Sequence, residues 1–154
     1  MTKFFLSSHG RLSSGIGSSL DILLGGHDRL TCFDSYIDEH SLNDALDQFF
    51  QSVEPEEQVI LLSDMYGGSV NSTMYTYLNH PNTTLVTGVN LALVIGLIIL
   101  ETPITRDVLD QIVTQSREAI RIVELEETDI LEEDRKSTRL NSSHLKLSRM
   151  PSSA

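Results

Sequence analysis

Val59-Ile60-Leu61-Leu62-Ser63 runs straight into Asp64-Met65-Tyr66-Gly67-Gly68-Ser69, and this stretch decides the fold. An unbroken apolar run with no polar alternation is the signature of a strand covered on both faces, as in a parallel sheet. A second run of the same kind opens the chain, where Lys3-Phe4-Phe5-Leu6-Ser7-Ser8 leads into His9-Gly10. If both are parallel strands, His9 and Asp64 stand at carboxyl ends of one sheet, where open α/β folds bind ligands. An imidazole, a carboxylate and a Gly-Gly-Ser turn converging there make a candidate phosphoryl-accepting histidine site.

The segments around these runs alternate between helical and extended patterns. Leu12, Ile16, Leu20, Leu23 and Leu24 recur at helical spacing, with Gly25-Gly26 as the stop. A short strand is expected at Leu30–Phe33. Ser41 reads as an N-cap with Asp44 three residues on, ahead of a stripe of Leu42, Ala45, Leu46, Phe49 and Phe50. Ser69 opens the next helix, with Val70, Met74, Tyr77 and Leu78 inward and Asn79-His80-Pro81 ending it. Leu85–Leu100 is apolar but too short to span a bilayer, and Gly88, Asn90 and Gly96 interrupt it, so it divides into strand, turn and helix. Thr105 caps a helix burying Val108, Leu109, Ile112 and Val113. Ile120–Leu125 alternates like an edge strand that pairs with another chain. The expectation is a doubly wound α/β domain, a mostly parallel central sheet with helices on both faces.

The chain has 154 residues, enough for one domain with a proper core, and a formal net charge of −11. All 22 acidic residues fall at or before Asp134, against six basic ones, so that part carries −16. Such a surface repels nucleic acid and anionic membranes and favours basic protein partners. Cys32 is the single cysteine, which excludes an internal disulfide and a cysteine metal cluster. No export-signal core follows Met1, and a reducing cytoplasm is expected. Residues 1–126 are read as one domain and 127–154 as a tail. The tail is acidic to Asp134, then basic and Ser-rich with the composition of disorder. Its stretch Lys136–His144 resembles translated adapter or vector sequence, so the tail from about residue 136 is taken as non-native.

Each candidate group also has a plain structural reading. A histidine ending a strand can satisfy backbone groups at a helix start, and Asp64 could simply cap a helix. As neighbours in a sheet they would do more. The carboxylate would accept a hydrogen bond from one ring nitrogen, fixing the tautomer and leaving the other lone pair free. Gly67-Gly68 would let backbone amides approach an anion, and Ser69 would add a hydroxyl. Ser7, Ser8 and Ser69 are candidate nucleophiles for hydrolysis, but no Gly-x-Ser-x-Gly elbow is present. Gly15-Ile16-Gly17 lacks the third glycine of a dinucleotide loop, and no phosphate-loop lysine motif occurs. His27, His40 and His80 read as surface residues without metal-ligand spacing.

Ser8-His9-Gly10, Asp64-Met65-Tyr66-Gly67-Gly68-Ser69 and Gly88-Val89-Asn90, in that order, resemble the enzyme IIA domain of the mannose family of the bacterial phosphoenolpyruvate-dependent sugar phosphotransferase system. The resemblance covers about residues 2–125. It implies a doubly wound sandwich that forms a homodimer by exchanging a C-terminal strand, here Ile120–Leu125. It further implies that His9 accepts a phosphoryl group from phosphorylated HPr and passes it to enzyme IIB, which serves membrane components IIC and IID. Asp64 would orient His9, and Gly67, Gly68 and Ser69 would hold the phosphoryl oxygens, with no metal and no other cofactor. The chain departs from the pattern at Val70, where proline is frequent. It departs again at Leu91-Ala92-Leu93 after Asn90, and at Met65 and Tyr66, where threonine and tryptophan are common. Two neighbouring functions share these features: a phosphorylation-dependent regulatory module, and the relay domain that feeds dihydroxyacetone kinase.

Overall fold

The computed structural model describes residues 1–126. Four strands form one sheet: β1 (Thr2–His9), β2 (Leu30–Ser35), β3 (Gln58–Ser63) and β4 (Thr83–Thr87). Their order is β2-β1-β3-β4, and all three pairings are parallel. Helices α1 (Leu12–Leu24), α2 (Leu42–Gln51), α3 (Ser69–Tyr75), α4 (Leu91–Ile98) and α5 (Arg106–Glu118) follow or link the strands. The expected α/β class is therefore present, with every strand pair parallel. The tail beyond Glu126 lies outside the described residues.

Both central strands are buried on both faces, as their unbroken apolar runs require. Val59, Ile60, Leu61 and Leu62 are fully inaccessible, as are Phe4 and Leu6. Each such side chain stabilises the fold by roughly 1.5–3 kcal/mol relative to exposure. Alternation along the strands divides the core in two. Phe5, Val59 and Leu61 meet Leu42, Leu46 and Phe49 of α2 and Val70 and Met74 of α3. The opposite face carries α1, whose Ser13 hydroxyl donates to the Leu6 carbonyl at 2.7 Å. On that same face the Arg29 guanidinium lies over the Phe4 ring and donates to the Ile98 and Leu100 carbonyls at the end of α4.

Local signals place the helix ends. The Ser41 side chain accepts from the Asp44 amide and caps α2, Asn90 accepts from the Leu93 amide and caps α4, and Gly25 closes α1 in the left-handed region. Leu85–Leu100 divides as expected into the end of β4, a turn at Gly88 and α4. No helix of the described residues is long and apolar enough to cross a membrane.

Three expectations need correction. The apolar stripe of α1 is only partly inward: Ile16 and Leu20 are buried, whereas Leu12, Leu23 and Leu24 are exposed. Helix α3 stops at Tyr75, so Tyr77 and Leu78 lie in turns and are half-buried. The strand at Ile120–Leu125 was expected to pair with another chain; in the single chain these residues form no strand, and Ile120, Ile122, Val123 and Leu125 are exposed. The physical reason is that a strand exists only against a partner edge, and an isolated extended segment leaves its own ladder groups to water. By its packing the chain divides after Ile112 into Met1–Ile112, which holds the sheet and the first four helices, and a unit starting at Val113. Along α5 only Leu109 of the four expected apolar positions is buried; Val108, Ile112 and Val113 are half-covered.

Candidate functional site

Strand order places the site. The chain leaves β1 for β2 on one side and returns to β3 on the other, so the winding reverses between β1 and β3. Crossovers diverge there and leave a crevice at the carboxyl ends. His9 is the last residue of β1, and Asp64 follows the last residue of β3, whose Ser63 is in register with Ser7.

The two side chains meet in that crevice. Asp64 Oδ2 lies 2.7 Å from His9 Nδ1 and also accepts from the His9 backbone amide at 2.8 Å. Its Oδ1 accepts from the Met65 amide at 3.0 Å. One carboxylate thereby fixes the main chain and the ring of the same histidine. The side chain of Asp64 is only 10% accessible, against 43% for His9. Burial would raise the Asp64 carboxyl, but the hydrogen bonds from the His9 amide and ring outweigh it and hold the group below its ordinary value. An ionised carboxylate can only accept, so Nδ1 carries the proton and Nε2 presents a free lone pair.

Nε2 faces the Gly-Gly-Ser turn. Ser69 Oγ lies 3.3 Å from it. Gly67 has φ +80°, which a residue with a Cβ adopts only under strain. At Gly68 a Cβ would come within 3.0 Å of Met65 Cγ and 3.3 Å of His9 Cε1, so the absent side chain leaves room for the ring. His9, Asp64, Gly68 and Ser69 thus lie together, with Gly67 shaping the turn that leads to Gly68 and Ser69.

Tyr36 belongs to the same cluster and was not expected. Its hydroxyl is 2.7 Å from Ser69 Oγ, and its ring is tilted beside the His9 ring with centroids 5.4 Å apart. Its backbone has φ +70°, unusual for a bulky residue and costing roughly 1–2 kcal/mol. The sequence signal was weak. The strand expected to stop at Phe33 continues to Ser35, which pairs with His9 and so carries Tyr36 to the crevice.

Other sequence candidates have structural work. Ser7 and Ser8 are buried: the first bonds to the Phe33 carbonyl and Ser35 Oγ, and the second accepts from the Ser13 amide. Both hydroxyls are shut away from the crevice solvent. A Cβ on Gly17 would meet Cys32 Sγ and His27 Nε2 within 3.2 Å, so this glycine serves packing. His27 pairs with Asp21 at 2.6 Å, His80 stacks on Phe50 with centroids 4.0 Å apart, and both are half-buried. His40 is exposed and pairs with Asp38 at 3.1 Å. With Glu39 these two form a loop cluster whose ligand atoms lie within 4.8 Å of one another, among exposed groups that commonly gather without an ion. In the third motif, the Gly88 and Val89 amides both donate to the Ser63 carbonyl, and Asn90 caps α4.

The family model EIIA-man, described as PTS system fructose IIA component, matches residues 3–113. The chain belongs to this family. As a IIA domain it is a component of the sugar phosphotransferase system, the coarse function that the sequence resemblance implied. Solved structures agree on the fold. A protein assigned as a phosphoenolpyruvate-dependent sugar phosphotransferase system permease from Klebsiella pneumoniae subsp. pneumoniae aligns with a TM-score of 0.72 at 24% identity, covering 79% of this chain and 90% of that one. The phosphotransferase system component EIIA of Streptococcus agalactiae aligns with a TM-score of 0.64 at 24% identity, covering 79% and 97%. The mannose/sorbose specific IIA subunit of Enterococcus faecalis gives 0.64 at 19% identity, covering 82% and 97%. No curated protein matches the chain.

Proposed function

We propose that this IIA domain relays phosphoryl groups for sugar uptake in the cytoplasm, with His9 as acceptor and donor. Phosphorylated HPr supplies the group and enzyme IIB receives it, upstream of membrane components IIC and IID. The observation that carries this reading is the ring of His9: Nδ1 is engaged by Asp64 at 2.7 Å, while Nε2 meets only the long 3.3 Å contact to Ser69 Oγ and the side chain is 43% accessible. In the transfer the Nε2 lone pair forms a bond to phosphorus as the phosphorus–nitrogen bond of the donor phosphohistidine breaks. The leaving imidazole keeps that electron pair. The His9 ring becomes cationic because Nδ1 retains its proton, and Asp64 neutralises the charge where it develops. The phosphoryl oxygens fall toward the Gly67-Gly68 backbone and the Ser69 hydroxyl. Such a transfer needs alignment and charge stabilisation more than covalent machinery, which suits so small a set of groups.

Support for protein partners comes from the rim. Leu12, Ile37, Met65 and Tyr66 are exposed apolar side chains on the segments that follow β1, β2 and β3. Exposed apolar groups gathered at one end of a sheet suit a docking protein rather than a small polar substrate. Homodimerisation is part of the same proposal. The half-covered face of α5 and the exposed Ile120, Ile122, Val123 and Leu125 are the segments a second subunit would cover.

The test is incubation with phosphoenolpyruvate, enzyme I and HPr, followed by intact mass and mapping of an acid-labile phosphoryl group. Label on His9, and its loss from His9→Ala, is the expected result. Label on another residue, or none on a folded protein, would overturn the relay.

A further inference from the structure

We infer that Tyr36 is a positioning residue for phosphoryl transfer at His9, acting through the Ser69 hydroxyl; this rests on the relay reading above. The direction of each hydrogen bond follows from the one before it. Asp64 holds the proton on Nδ1, so Nε2 can only accept, and Ser69 Oγ at 3.3 Å must be its donor. A serine hydroxyl has one proton. With that proton committed to Nε2, the 2.7 Å contact to Tyr36 has a single polarity, with the phenol donating to Ser69 Oγ. Asp64, His9, Ser69 and Tyr36 form one chain whose sense is set at the carboxylate.

Two further observations place Tyr36 in that chain rather than beside it. Its ring lies 5.4 Å from the His9 ring at an interplanar angle of 35°, and its backbone occupies the left-handed region at φ +70°. A bulky residue in that conformation inside a ligand crevice is the kind of strain that persists where position matters. The consequence for the relay is mechanical. When Nε2 takes the phosphoryl group, the Ser69 proton must swing from nitrogen to a phosphoryl oxygen. The Tyr36 bond keeps Ser69 Oγ in place during that swing, and a donated hydrogen bond strengthens the hydroxyl as a donor in turn. Without it, water competes for a hydroxyl whose contact to Nε2 is already long.

The experiment is a double-mutant cycle on the full chain: wild type, Tyr36→Phe, Ser69→Ala and the double variant. It measures the rate of phosphorylation by phosphorylated HPr and the ¹⁵N resonance of His9 Nε2 without phosphate. Tyr36→Phe keeps the ring and removes one exposed hydroxyl, so the fold is retained. We expect it to slow transfer roughly fivefold, the equivalent of one neutral hydrogen bond. We expect Ser69→Ala to be slower still, and the double variant to match Ser69→Ala, because Tyr36 has nothing left to position. The Nε2 resonance should move in Tyr36→Phe. Additive losses, or an unmoved Nε2 resonance, overturn the inference. If the wild type takes no phosphate, the relay itself fails, and the resonance still decides whether Tyr36 governs Nε2.

Discussion

Replacing Asp64 by Asn removes the charge at the centre of the site while keeping the side chain's size. The amide is nearly isosteric, and its oxygen can still accept from the His9 amide and from Nδ1, which now sit 2.8 and 2.7 Å from Oδ2. What disappears is the negative charge that faces the ring as it turns cationic, together with the bond from the Met65 amide, because the NH2 that replaces Oδ1 cannot accept it. Two full charges about 4 Å apart interact by ~4 kcal/mol at the effective dielectric of a site near the surface. If half a charge has developed at the transition state, the loss is ~2 kcal/mol, or roughly a 30-fold slower transfer. The low accessibility of the Asp64 side chain, 10%, argues against water replacing that term. Rapid-quench phosphorylation by phosphorylated HPr measures the rate, and thermal denaturation checks that the variant folds. A rate within about twofold of wild type in a folded Asp64→Asn protein would refute the reasoning, leaving Asp64 as a clamp on the backbone alone.

The same carboxylate ties stability to pH. Its folded pKa is depressed, so its contribution is complete above the unfolded value near pH ~3.9 and is lost as pH falls through the lower folded value. The urea midpoint advantage of wild type over Asp64→Asn should hold above about pH 5 and vanish in the acid range; an advantage that grows on acidification would contradict this. Gly67→Ala should cost about 1 kcal/mol, because φ +80° strains any Cβ although nothing lies within 4 Å of it, and chemical denaturation reads the loss. Gly68→Ala should behave in the opposite way, keeping most stability while displacing the His9 ring by a few tenths of an ångström, so that transfer slows with little change in melting temperature. Ser41→Ala should destabilise by about 1 kcal/mol through loss of the α2 cap, with transfer rate unaffected.

Chain order and residue chemistry were enough to pair His9 with Asp64. Two short apolar runs read as strands buried on both faces, and parallel strands ending in polar residues deliver those residues to one edge. The Gly67-Gly68-Ser69 turn was legible only beside His9, since on its own a glycine pair before a helix reads equally as a tight turn and cap. Tyr36 was not legible. Nothing near it in the sequence marks a tyrosine for function, and its place beside His9 depends on β2 running two residues past Phe33 to bring Ser35 opposite His9. Ser7 and Ser8 show the converse, plausible hydroxyls that strand alternation turns into buried structural bonds.

By itself the sequence determined the α/β class, the helix cap at Ser41 and the candidate histidine–carboxylate pair. These follow from periodicity and from short-range hydrogen bonding, which act within a few residues. Only the tertiary structure decided which ring nitrogen is free, which hydroxyls face it and which leucines of α1 stay in water. Those depend on strand order and register, fixed by packing between segments far apart in the chain. The exposed Ile120–Leu125 marks the remaining boundary: among the described residues that strand pattern stays unpaired, because a strand needs a partner edge and the one expected here belongs to another chain.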